Sequence, residues 1–360
     1  MTTFDLARYR LHQQQIAGTA LKKPGQVVAW LGAVQAQDYL AALWAIGLRM
    51  QKVSERAVEQ AIADKTIVRT WFMRGTLHFV PGRDIHWLIQ LMAPRMRKIV
   101  GNISNYQGLE LDETILAKSN AVIAKALEGG KQRTRSELAI ALRQAGIVSH
   151  GVRLSLMLQR AQADGLVCYG PRRGKQFAFA LLDDWVPKAR TMEREEALAE
   201  FAGRYFMSHG PATLQDFIWW SGLSSTDAKA GLEMVRSQLV QESVDGHIYW
   251  FSQRTPALKG PQQTAYLLPD YDEYVVGYKD RRAVLDARHI EKISLWNSIV
   301  LNPTIVINGR VAGTWKRTLN QKAVGIEARP FSPLTKAEKR AVADAADRYG
   351  AFLDLPVVLV

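Results

Sequence analysis

Residues 134–182 read TRSELAIALRQAGIVSHGVRLSLMLQRAQADGLVCYGPRRGKQFAFALL, and they decide the fold. Thr134 stands three positions before Glu137, the spacing of a capping box, so a helix starts there. Gly146 closes it. A second helix over VRLSLMLQRAQADG ends at Gly165. Two short alternating runs follow, LVCYG and KQFAFALL, joined by Pro171-Arg172-Arg173-Gly174. Helix, helix and a hairpin with a basic tip is the plan of a winged helix. In that plan the second helix can enter a major groove and the tip can touch the DNA backbone.

The plan recurs on both sides. Toward the C-terminus, EREEALAEFAGRYFMSHG, ATLQDFIWWSG and SSTDAKAGLEMVRSQL read as helices, and QLVQESV and HIYWF as strands joined at Asp245-Gly246. Toward the N-terminus it is looser. Phe4 to Ile16, Val27 to Val34 and SERAVEQAIAD read as helices, and TIVRTWFM and TLHFV as strands joined at Arg74-Gly75. From about residue 264 strand-like runs dominate, with a tight turn at Asn308-Gly309 and a late helix over TKAEKRAVADAADRYGAFL. The expectation is an α+β protein of three tandem winged-helix domains, over 1–110, 111–190 and 191–260, and a C-terminal β-barrel-like domain over 261–360.

Length and charge agree with several domains and a polyanionic partner. The chain has 360 residues and a net charge of +13, and that many uncompensated Lys and Arg suit displacement of counterions from phosphate. Its one cysteine, Cys168, permits neither an internal disulfide nor a thiolate zinc cage. His78, His86, His150 and His209 show no ligand spacing with carboxylates, so no metal is expected. The N-terminus lacks a signal-peptide core and no apolar run is long enough to span a bilayer, so the cytoplasm is the expected compartment, with association to the nucleoid expected of a DNA-binding chain.

One stretch is not explained by packing. In Val34-Gln35-Ala36-Gln37-Asp38-Tyr39-Leu40 two amides stand two positions apart. On a helix they would face opposite ways, whereas in an extended connection they share a side. Asp38 is a natural N-cap for the run that follows, so the glutamines belong in a tight connection between helices. An amide does not titrate. It can hold a water and turn a carbonyl dipole toward a developing cation, which suits a transition state governed by position and electrostatics. The plainer alternative is two amides that hydrogen-bond backbone in a turn.

The pieces AVQAQDYLAALWAIGLR, TIVRTWFMRGTLHFVP, LLPDYDEYVVGYKDR and INGRVAGTWKR resemble, in order and over nearly the whole chain, the AlkZ/YcaQ family of bacterial winged-helix DNA glycosylases. The resemblance implies three winged-helix domains and a β-barrel forming a concave DNA cradle. It also implies that Gln35 and Gln37, the double-glutamine form of the family motif, carry hydrolysis of the N-glycosidic bond. The other branch of the family has Asp at the second place; Asp38 stands one position too late to fill it. The implied substrates are alkylated purines in duplex DNA, with N7 or N3 adducts and interstrand crosslinks among them. The implied protein is a monomeric, monofunctional hydrolase without cofactor. A non-catalytic winged-helix DNA binder is the alternative.

Around this motif further residues are candidates for DNA contact: Arg74 at the first hairpin turn, His78 facing the lesion, Arg172, Arg173 and Lys175 at the wing tip, and Arg310 reaching into a minor groove. Each has a plainer reading, His78 as a core histidine above all. Trp219-Trp220 reads as packing rather than a stacking platform. Asp270, Asp272 and Glu273 invite a metal or acid–base reading that lacks an identifiable distant partner.

Overall fold

The computed structural model describes residues 2–18, 20–52, 54–187, 191–253, 264–290 and 302–360. The fold is mixed α and β, and the chain divides into two compact units. One is Ala61–Leu198; the other joins Met1–Gln60 to Ala199–Val360.

In the unit Ala61–Leu198, the capping box forms as expected. Thr134 Oγ1 accepts the Glu137 N–H at 3.3 Å and a Glu137 carboxylate oxygen accepts the Thr134 N–H at 2.6 Å. Such a cap is worth about 1 kcal/mol to the helix it starts, here Arg135–Gln144. The second helix runs Gly151–Ala163 and buries Leu154, Leu156, Met157 and Leu158. Two further helices, Ile85–Tyr106 and Glu113–Leu127, complete the helical layer.

Five strands of this unit form one antiparallel run in the order Leu77–Pro81, Ile67–Trp71, Val167–Arg173, Gln176–Leu181, Arg133–Thr134. The hairpins of the first and second sequence blocks are therefore neighbours, meeting at Arg69 and Tyr169. Pro171, Arg172 and Arg173 are not a loop, as their composition suggests. The strand continues through Arg173, and only Gly174 and Lys175 turn. The ladder shifts register between Tyr169 and Arg172. A bulge there lets the strand absorb a proline that has no N–H to give the ladder.

In the unit Met1–Gln60 with Ala199–Val360, five strands form a half-barrel rather than a closed barrel. Their order is Val357–Leu359, Val324–Pro330, Arg310–Leu319, Thr304–Ile307, Ala265–Leu268, and among the described residues the first and last pair on one side only. The helix Lys336–Leu353 covers the sheet. The helix Tyr39–Gly47 joins the same core. The Trp44 ring meets Tyr349 and Phe352 with centroids 5.0 and 5.1 Å away. The indole N–H of Trp44 donates to Leu267 O at 2.7 Å, and that of Trp315 to Leu268 O at 2.8 Å. Gly47 is required by this contact, because a Cβ there would stand 2.5 Å from the Phe352 ring. The hairpin Leu239–Val244 and His247–Ser252 turns at Asp245-Gly246, both with positive φ, as its sequence predicts.

Candidate active site around the glutamine pair

The helix Pro24–Leu31 ends at Gly32, whose φ of 82° is readily open only to glycine. The chain then extends through Val34–Gln35. Asp38 caps the next helix, its carboxylate accepting the Ala41 N–H at 3.0 Å. The glutamines thus lie in a short connection between two helices, as their spacing predicts. They differ in depth: Gln35 is buried and Gln37 is exposed.

Beneath Gln35 lies a buried polar network that the sequence does not reveal. Glu273 takes the Gln35 backbone N–H on Oε1 at 2.9 Å and the Trp220 indole N–H on Oε2 at 2.8 Å. His209 Nε2 is 3.4 Å from the same Oε2. Both oxygens act as acceptors, the pattern an ionised carboxylate satisfies. Burial holds the His209 pKa below its ordinary value, against the opposing pull of Glu273. The adjacent Asp272 is gripped by both terminal nitrogens of Arg49, each at 2.8 Å. Arg49 also donates to Gln14, and Gln14 in turn donates to Glu273 O and Tyr278 Oη. Arg10 stacks over the Tyr278 ring at 3.6 Å and lies 3.8 Å from Asp216.

Nothing in the local pattern of DYDEY points to these partners, since they sit far away in the chain. The one available signal was two acids flanked by tyrosines in an otherwise apolar segment. The third acid, Asp270, is half-buried, and its carboxyl pKa is raised by burial and by Asp38. Tyr271 beside it holds a φ of 59°, a conformation that costs a non-glycine residue energy and recurs at functional sites.

The remaining candidates are distributed as follows. Arg74 sits half-buried at the turn between Ile67–Trp71 and Leu77–Pro81, with φ 56°. His78 is fully buried. Its Nδ1 is 3.2 Å from Thr76 O and its ring meets Phe72 edge-on at 5.9 Å. This is the core placement, the plainer of the two readings of His78. Arg69 is also buried, with its guanidinium 4.3 Å from the Phe177 ring centre.

At the wing, Arg172, Arg173 and Lys175 are all exposed. Arg173 is committed to Glu137 at 3.3 Å and to Gln132 O at 2.5 Å. Arg310 is half-buried beside the Asn308-Gly309 turn. That turn is seated against the first helix, Thr3–Gln13: Tyr274 Oη donates to Ala7 O at 2.9 Å and lies 2.7 Å from Gly309 O. Trp220 is core, whereas Trp219 is part-exposed and donates to Val276 O at 3.2 Å. Among the described residues no cluster of three His, Cys, Asp or Glu could hold a metal. No described helix is long and apolar enough to cross a membrane.

Comparison with known proteins gives three findings. The family described as DNA glycosylase AlkZ-like matches residues 28–352. An interstrand DNA cross-link repair glycosylase from Streptomyces sahachiroi is 27% identical over 337 residues, covering 86% of each chain. The solved structure of the Streptomyces sahachiroi DNA glycosylase AlkZ superposes with a TM-score of 0.81 over the whole of both chains, at 23% identity.

Proposed function

The chain belongs to the AlkZ-like DNA glycosylase family, and on that basis we propose that it hydrolyses the N-glycosidic bond of alkylated purines in duplex DNA. Adducts at N7 and N3 are the substrate class, and interstrand crosslinks, the substrate in the name of the Streptomyces sahachiroi relative, fall within it. The observation that carries the reading is Gln37, exposed at a connection whose other glutamine is buried, in a chain of this family.

An N7-alkylpurine is cationic and leaves as a neutral base. The C1′–N bond breaks with its electron pair going to the base, and water adds to C1′ and yields a proton to solvent. The enzyme has little proton chemistry to do for such a leaving group. It must place a water and favour an oxocarbenium-like transition state. In this reading the Gln37 amide holds the water and turns its carbonyl toward the developing cation, and Gln35 supports it. Losing one such oriented group costs about 10²-fold or more in rate.

In this reading the sequence blocks 1–110, 111–190 and 191–260 are three winged-helix units that bind duplex DNA. Arg172 and Lys175 at the exposed wing tip, with Arg74 and Arg310, meet phosphates and groove. Arg173 contributes less, being shared with Glu137. The protein works as a cytoplasmic monomer without cofactor.

A panel of duplex oligonucleotides carrying N7-methylguanine, N3-methyladenine or a nitrogen-mustard crosslink, scored for alkali-labile abasic sites, tests the reading. Strand breaks at the lesion support it. Tight binding to every duplex with no base release is the outcome of a non-catalytic DNA binder.

A further inference from the structure

Glu273 stands 238 positions from Gln35 in the sequence and receives its backbone N–H directly. Resting on the glycosylase reading above, we infer that Glu273 is a positioning residue for the reaction: it anchors the Gln35 peptide, and through it sets where Gln37 stands.

The other buried acids of this unit have structural partners. Asp272 answers the Arg49 guanidinium with both oxygens. Asp216 accepts the backbone N–H groups of Thr213, Lys279 and Asp280. Glu273 instead spends one oxygen on the motif's own backbone and the other on Trp220, with His209 Nε2 also 3.4 Å from that second oxygen. Trp220 in turn lies against Gly32, where a Cβ would be 3.5 Å from the indole. The segment from Gly32 to Gln35 therefore starts beside Trp220 and is held at its end by Glu273, which also holds Trp220.

Farther along, Asp38 is fixed by its bond to the Ala41 N–H. Gln37 is thus exposed on a span of two residues, Ala36 and Gln37, between two anchored points. That is how a non-titrating amide can be kept in one place without being buried. A displacement of about 1 Å at a reacting geometry costs about 10²-fold in rate, so an anchor on the backbone beside the motif acts on the chemical step.

The test compares two adjacent buried carboxylates. Glu273→Gln keeps size and shape, but one amide cannot serve both partners. If its oxygen keeps the Gln35 N–H, its NH₂ faces the Trp220 N–H, donor against donor. Asp272→Asn is the control: Asn caps the following turn as well as Asp does, and position 272 does not touch the motif.

Single-turnover base release is measured on a lesion that the wild-type enzyme excises, with duplex Kd determined alongside. The expected result is a fall of about 10- to 100-fold in the Glu273→Gln rate, with Kd within about twofold of wild type. Asp272→Asn should lower Tm while leaving the rate near wild type at a temperature where it is folded. A wild-type rate in folded Glu273→Gln overturns the inference. So does an equal loss in Asp272→Asn, which would make the network structural only.

Should Glu273→Gln not fold, Trp220→Phe carries the test. It removes one donor from Oε2 and leaves the carboxylate on the Gln35 N–H. Faster hydrogen exchange at the Gln35 amide with a matching fall in rate supports the anchor, and faster exchange there with an unchanged rate overturns it. A wild-type protein inactive on every lesion, by contrast, removes the glycosylase reading itself. Activity that is lost in Gln37→Ala but intact in Glu273→Gln removes the positioning role alone.

Discussion

Replacing Arg172 and Lys175 together with alanine should flatten the salt dependence of duplex binding, and the structure sets by how much. Both side chains are exposed at the end of the Val167–Arg173 and Gln176–Leu181 hairpin. Arg173 is exposed too, but it already donates to Glu137 and to Gln132 O. Each phosphate neutralised on duplex DNA contributes about −0.9 to the slope of log Kobs against log salt. Two lost contacts flatten that slope by about 1.8. Between about 50 and about 200 mM salt the wild type then loses about 12-fold more affinity than the double variant, which is four raised to about 1.8. Arg173→Ala alone should flatten the slope by clearly less than about 0.9, because its guanidinium is shared with a carboxylate. Fluorescence anisotropy with an undamaged duplex at four salt concentrations reads these slopes. A double variant with the wild-type slope would take this wing out of the DNA footprint, and a full-unit change in Arg173→Ala would show that the Glu137 contact opens on binding.

Position 37 distinguishes a polar role from a packing one. Gln37→Asp, the form of the other family branch, should retain measurable base release, whereas Gln37→Leu should lose about 10²-fold or more; equal rates in the two variants would contradict a polar function. His209 makes the protein acid-sensitive. Its folded pKa lies below 6.5 because burial disfavours the imidazolium, so below 6.5 the unfolded chain binds the proton more readily. Stability present above 6.5 is lost as the pH falls through the folded value, and Tm against pH should be flatter in His209→Gln over that window; identical curves would assign the acid loss elsewhere. Burial pushes the Cys168 thiol up to about 12. A thiol so far from its thiolate is unreactive, so iodoacetamide should label Cys168 only after denaturation; labelling of the native protein within minutes would refute its burial.

Local chemistry was legible wherever the signal lay within a few residues. Thr134 with Glu137, Asp38 before Ala41, and Asp245-Gly246 each specify a cap or turn by themselves, and each forms as read. Proline and glycine nearby are strong turn signals and point Arg172 and Arg173 into a loop, whereas the bulge after Tyr169 lets the ladder run on through Arg173. His78 has two readings in the sequence, and the strand Leu77–Pro81 takes the core one, with the ring turned inward and Nδ1 3.2 Å from a backbone carbonyl. Glu273 was visible only as an acid in a run of acids. Its meaning comes from a contact across 238 positions, and hydrophobic periodicity carries no information at that range. The same holds for the pairing of Arg49 with Asp272, 223 positions apart.

Release of N7-methylguanine from a duplex under single-turnover conditions, compared between the wild type and the Gln35→Ala/Gln37→Ala double variant, tests the central claim most directly. The wild type should release the free base and leave an alkali-labile site. The double variant, with unchanged duplex affinity, should be slower by about 10²-fold or more. Base release by the double variant at the wild-type rate would contradict the claim that the two glutamines carry the reaction.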